Sequence, residues 1–163
     1  MKQRLNYYGA APATIKALVA LEDHLAKSGL EQSLYHLVKT RASQINGCAY
    51  CIHMHTKDAR AHGETEERLY LLDAWRESPL YTERERAALA WTDSLTRISE
   101  THAPDADYEL VRAQFKDAEL VNLTALIGMI NLWNRVAIGF RSIHPGKAPT
   151  ASTAPAAKEA AAQ

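Results

Sequence analysis

The segment Gly47-Cys48-Ala49-Tyr50-Cys51-Ile52-His53-Met54-His55 holds both cysteines of the chain and two of its seven histidines. On a helix, cysteines three positions apart lie one turn from each other on the same face. His55 follows Cys51 by four, so its imidazole stands one turn further along that face. A dithiol with a base beside it can form a thiolate near neutral pH and then close a disulfide. A helix N-terminus together with a neighbouring base or cation can bring a thiol from ~8.5 to roughly 3.5–7.5. Asn46-Gly47, a turn pair, places Cys48 at such a helix start. The pattern predicts a redox active site.

Two other readings use the same residues. Buried cysteines can act as small hydrophobes. Cys48, Cys51 and His55 could also hold zinc, with His36 or His62 as the fourth ligand. Zinc sites of this type usually pair two short ligand clusters, and the chain has no second CxxC and no HxxxH. The expectation is therefore a site without metal or cofactor. His53 falls roughly opposite Cys51, at the surface or an interface. His62 continues the dithiol face near the helix end, where a cation suits the dipole. His24, His102 and His144 carry no pattern. Tyr50, between the cysteines, packs against the site or walls it, and Trp75, Trp91 and Trp133 sit at helical spacing with aliphatic residues and are expected in the core.

The elements that must position these groups are helices. Strand signals are nearly absent and apolar residues recur at helical spacing. Helices are expected over 11–28 (Pro12 in the first turn, Gly29 after the end) and 32–45, then 48–62, closed by Gly63. A short helix over 65–75 has Glu66 and Glu67 in its first turn. After Ser78-Pro79, Thr82-Glu83-Arg84-Glu85 forms a capping box that opens a long helix. A short helix over about 107–115 follows. The last helix runs over 118–140, with Asp117 as its cap, and is apolar almost all round, which predicts a central position or one between subunits. The whole is an all-α bundle of six or seven helices. From 143 to 163 the composition turns to Pro, Ala, Thr and Ser, which cannot build a core. The chain divides into a domain over 1–142 and a C-terminal tail.

Composition narrows the function. Among 163 residues, 47% are hydrophobic and Lys plus Arg equals Asp plus Glu at 19 each, which describes a globular chain with no basic surface for nucleic acid. Copies of a neutral chain repel each other little, so self-association is unopposed. No run of about 18 uninterrupted apolar residues suggests a membrane span, and the first residues have no apolar stretch of signal-peptide type. The expected location is the cytoplasm, where reducing systems make a lone CxxC a catalytic or metal-binding motif rather than a static staple.

Leu37-Val38-Lys39-Thr40-Arg41-Ala42-Ser43-Gln44-Ile45-Asn46-Gly47-Cys48-Ala49-Tyr50-Cys51, with Met54-His55-Thr56-Lys57-Asp58-Ala59-Arg60 after it, resembles the AhpD-type alkylhydroperoxidase core, a branch of the carboxymuconolactone decarboxylase-like superfamily. Arg4-Leu5-Asn6-Tyr7-Tyr8, Thr82-Glu83-Arg84-Glu85-Arg86-Ala87-Ala88-Leu89-Ala90-Trp91-Thr92 and Ile130-Asn131-Leu132-Trp133-Asn134-Arg135 extend the likeness to about residues 1–141. The resemblance implies an oligomeric all-helical fold and peroxidase activity on hydroperoxides, recharged by an external dithiol or thioredoxin-like reductant. It implies Cys51 as the peroxide-attacking thiol, Cys48 as the resolving thiol and His55 as the base. The helix dipole, by contrast, favours Cys48 as the more acidic thiol. Similar sequences carry a glutamate twelve positions before the first cysteine, feeding a proton relay. That position is His36 here, an imidazole that can pass protons but offers no fixed negative charge. A histidine found between the cysteines in some relatives is Tyr50.

Overall fold

The computed structural model describes residues 2–144, and these form nine α-helices with no strand among them. The expected tail, apart from its first two residues, lies outside the described residues. The helices are α1 (Tyr7–Ala10), α2 (Pro12–Ala26), α3 (Gln32–Ile45), α4 (Ala49–Ala61), α5 (Glu66–Leu71), α6 (Glu83–Thr96), α7 (Ile98–Thr101), α8 (Asp105–Gln114) and α9 (Asp117–Gly139). The count exceeds six or seven because α1 and α7 are single turns, too short to leave a periodic signal. The helix expected over 65–75 is α5 followed by a 3-10 turn, Leu72–Ala74. The capping box at Thr82 forms as expected: Glu85 N–H donates to Thr82 Oγ1 at 3.2 Å and Thr82 N–H to the Glu85 carboxylate at 2.8 Å. At α9 the cap is not Asp117, which is already helical; Glu119 accepts from the Lys116 N–H at 2.8 Å.

The most enclosed helix is α3, where every residue from Leu34 to Ser43 is buried. It packs against α4, α6 and α9. Leu34 and Val38 join Leu25 of α2, Ala88 and Trp91 of α6, and Leu123, Leu126 and Ile127 of α9 in the main core, while Leu37 meets Leu72, Trp75 and Leu89 in a second cluster. A helix buried all round must find partners for its polar side chains. Arg41 does so by a two-pronged pair with Asp93 of α6, Nε–Oδ1 2.6 Å and Nη2–Oδ2 3.2 Å.

By length and composition α9 could cross a membrane, but it packs on α2, α3, α6 and α8. Its buried Asn131 and Asn134 are hydrogen-bonded inside the fold, as expected of a core helix. Its remaining face, with Val121, Leu132 and Ile138, is exposed. The chain start is laced to the end of α9: Arg4 N–H donates to the Phe140 carbonyl at 2.9 Å, and Tyr7 Oη lies 3.1 Å from Ser142 Oγ. This brings α1 over the N-terminal half of α4.

Candidate active site

The turn between α3 and α4 sets the cysteines. Gly47 takes φ +66°, which a glycine adopts without strain. Its N–H bonds to the Gln44 carbonyl at 3.1 Å and the next N–H, of Cys48, reaches back to the Ser43 carbonyl at 3.0 Å. That pair of bonds is a Schellman ending for α3. Cys48 is at once the last residue of this ending and the N-cap of α4, its Sγ accepting from the Cys51 N–H at 3.3 Å. The turn is held from the far side by Asn46, whose amide donates to Asn131 Oδ1 and Asn134 Oδ1 at 2.9 and 2.8 Å. Asn134 in turn donates to Ser43 Oγ at 3.1 Å.

Cys48 and Cys51 are joined as a disulfide, with Cα atoms 5.3 Å apart. Both are nearly closed to bulk solvent, at 1% and 2% exposure, and His55 is at 2%. Access comes through a cavity of about 230 Å³ that Cys51 and His55 line together and Cys48 does not. Its walls are Tyr7 and Tyr8 of α1, Tyr50 and Met54 of α4, and Trp133 and Ala137 of α9. Trp133 is therefore a site residue as well as a packing one, and Tyr50 is a wall.

Neither ring nitrogen of His55 has a hydrogen-bond partner within the protein. Burial, the Lys39 ammonium and His36 hold its pKa well below the ordinary histidine value. The ring is thus neutral at physiological pH.

His36 is also buried, but it lines a different cavity, where its ring stands 4.7 Å from that of His62. Burial, followed by His62 and Lys39, lowers its pKa. The structure puts Cys51 and His55 at one cavity, with Cys48 bonded to Cys51, and His36 and His62 at another. Among the described residues no group of three or more His, Cys, Asp or Glu is arranged to hold a metal ion, so the four-ligand zinc set is not assembled. His53 is exposed and stacks on His144 at 5.2 Å between ring centroids.

The residues that sequence reasoning passed over are charged. Glu22 of α2, Lys39 of α3 and Asp58 of α4 line the Cys51 cavity. Lys39 is 4% exposed and ion-paired to Glu22. The Tyr35 hydroxyl donates to the same carboxylate at 3.2 Å, and Lys39 Nζ donates to Tyr35 Oη at 3.3 Å. The signal was a lysine inside the run Leu37-Val38-Lys39-Thr40-Arg41-Ala42, which has no polar face to receive it.

Residues 12–94 match the family model described as the carboxymuconolactone decarboxylase family. This chain belongs to that family. Its fold is of the AhpD type within it. A Bacillus subtilis (strain 168) relative, the uncharacterized protein YdfG, is 42% identical over 138 residues, covering 85% of this chain and 94% of its own. The crystal structure of an Agrobacterium tumefaciens protein of unknown function, with a suggested antioxidant-defence role of AhpD type, superposes with a TM-score of 0.87 at 53% identity. The superposition covers 90% of this chain and all of the other. An uncharacterized peroxidase-related protein from Silicibacter sp. TM1040 gives a TM-score of 0.74 at 26% identity, over 83% of this chain and 72% of the other. Within the carboxymuconolactone decarboxylase family, then, this chain combines a CxxC disulfide with a buried imidazole at one cavity, and the carboxylates at that cavity are Glu22 of α2 and Asp58 of α4.

Proposed function

We propose that the protein is a dithiol peroxidase that reduces hydroperoxides. The observation that carries this reading is the unequal placement of the two sulfurs: Cys51 faces the cavity beside neutral His55, while Cys48 lies behind it as the helix cap. A peroxide entering the cavity meets Cys51. Its thiolate attacks one peroxide oxygen, the O–O bond breaks, and the departing oxygen takes up a proton and leaves as an alcohol. Cys51 becomes a sulfenic acid. The Cys48 thiol then displaces that hydroxyl, releasing water and forming the disulfide. His55 accepts the thiol proton in this scheme and can return it to the leaving oxygen. An external dithiol, thioredoxin-like or otherwise, supplies two electrons and two protons to reopen the pair.

The suggested antioxidant role of the relative at 53% identity supports the reading, as does the peroxidase-related description of the one at 26%. Lactone decarboxylation has no use for a dithiol. The apolar wall of the cavity favours organic hydroperoxides, and the exposed apolar face of α9 favours self-association into a homo-oligomer. The test is a peroxide pulse on reduced protein with dimedone present, followed by peptide mapping. Label on Cys51 is the expected result. Label on Cys48 alone reverses the roles. Absence of peroxide consumption, with insulin reduced in its place, makes the protein a thiol–disulfide exchanger.

A further inference from the structure

We infer that Lys39, anchored by Glu22, is the residue that stabilises the Cys51 thiolate. This deepens the peroxidase reading and rests on it for its purpose, but the thiolate itself can be measured without peroxide.

Cys51 lacks what the helix start gives Cys48. The backbone N–H groups at the start of α4 favour an anion at the N-cap, which is Cys48, and the Cys51 N–H is itself directed at Cys48 Sγ. Cys51 is the third residue of the helix, so its sulfur does not receive the capping bond. His55 is neutral in the resting protein and carries a positive charge only while it holds the thiol proton, so it offers no standing cation. Other groups face the cavity from each element packed around it. From α1 come Tyr7 and Tyr8; burial raises the Tyr8 pKa, so that phenol stays protonated. From α2 comes Glu22; from α4 come Tyr50, His55 and Asp58. From α9 come only Trp133 and Ala137, which carry no charge. Among the described residues lining the cavity, Lys39 of α3 is the one cation.

An ammonium buried to this degree is costly unless paired. Glu22 provides the pairing, and the Tyr35 hydroxyl, donating to the same carboxylate, takes up part of its charge. Burial and Glu22 push the Tyr35 pKa up, so the phenol remains a donor. The ammonium is therefore held in place by a carboxylate whose charge is already shared. When the disulfide is reduced, the new thiolate appears in the same cavity and Lys39 faces two anions. Lys39 acts through Cys51 and is a positioning residue, not one that reacts.

The test uses the full-length chain carrying Cys48→Ser, so that Cys51 is the single thiol, and measures its alkylation rate by iodoacetamide against pH. Lys39→Met should move the midpoint up by about one pH unit, and Lys39→Arg should restore most of that shift. Lys39→Gln, which removes the charge but keeps a polar side chain beside Glu22 and Tyr35, should move the midpoint up in the same way, and it serves if Lys39→Met does not fold. Far-ultraviolet circular dichroism checks the fold of each. A folded Lys39→Met with the parent's midpoint overturns the inference, as do equal shifts in the Met and Arg variants, or a folded Lys39→Gln at the parent's midpoint. If the midpoints behave as stated but the wild-type chain consumes no hydroperoxide, the peroxidase reading fails and the role of Lys39 stands.

Discussion

The side-chain amide of Asn46 donates to Asn134 Oδ1 across 2.8 Å, tying the turn that carries Cys48 to the core helix α9. Asn134 is fully buried and passes the link on to Ser43. Replacing Asn134 by Leu leaves the Asn46 amide and Ser43 hydroxyl without this partner in a closed space, and a buried polar group without its bond costs about 1–3 kcal/mol. Urea unfolding of Asn134→Leu should show a loss in that range. Disulfide formation on titration with a redox buffer should also weaken, because the turn no longer holds the cysteines in place. An unchanged urea midpoint would mean the network contributes nothing.

The two sulfurs should divide the labour. Cys51→Ser removes the group at the cavity and should abolish hydroperoxide consumption under steady state. Cys48→Ser leaves the attacking thiol but no resolving one, so a single turnover should proceed and halt at a Cys51 sulfenic acid visible by mass. Stopped-flow peroxide consumption checks both. Equal residual turnover in the two variants would remove the basis for assigning distinct roles.

That asymmetry is partly legible in the amino-acid sequence. The spacing Cys48, Cys51, His55 is a helical one, and a helix gives it one meaning. The capping box at Thr82 and the Gly47 turn are equally local, and they form as read. What spacing could not convey is how helices stack. Glu22 lies 17 residues before Lys39 and reaches it only because α2 packs across the cavity. Lys39 itself was hidden because α3 is buried on every side, which erases the amphipathic stripe that would have set a charged residue apart. His36 has the right distance from Cys48 for a relay, yet its side of α3 opens to the cavity of His62. Asn46 read as a turn residue, and its bonds to α9 come from a contact 85 to 88 positions away.

The buried histidines make stability depend on pH. The pKa of His55 is held well below the ordinary value by burial, then by Lys39 and His36, and that of His36 is lowered by burial and His62. In the unfolded chain both titrate near ~6.5. Below that pH the unfolded state binds protons that the folded state refuses, so stability is full above ~6.5 and falls as the pH drops. Each such histidine contributes a slope of up to about 1.4 kcal/mol per pH unit. Urea midpoints at pH 7.5 and pH 5.0 should differ accordingly, and His55→Leu should flatten the dependence. The same pH slope in His55→Leu and wild type would show that His55 is protonated as readily in the fold as outside it.

The frame that holds α3 can be tested through Arg41. This residue, two positions beyond Lys39, meets Asp93 of α6 with both partners nearly enclosed, side-chain exposures being 7% and 9%. Its second partner, Asp73, is largely in solvent. Removing one member of an enclosed ion pair leaves a charge without compensation and costs about 3–5 kcal/mol, whereas an exposed partner contributes about 0–1 kcal/mol. Asp93→Asn should therefore lower the unfolding free energy by several times more than Asp73→Asn. The ordering matters for the site because α3 carries both Lys39 and, one turn further on, the Ser43 end of the Asn134 link, so a loosened Arg41 frees both at once. Chemical denaturation of the two variants decides it: equal losses would place the weight of the Arg41 contact at the surface and release α6 from any part in holding the cavity.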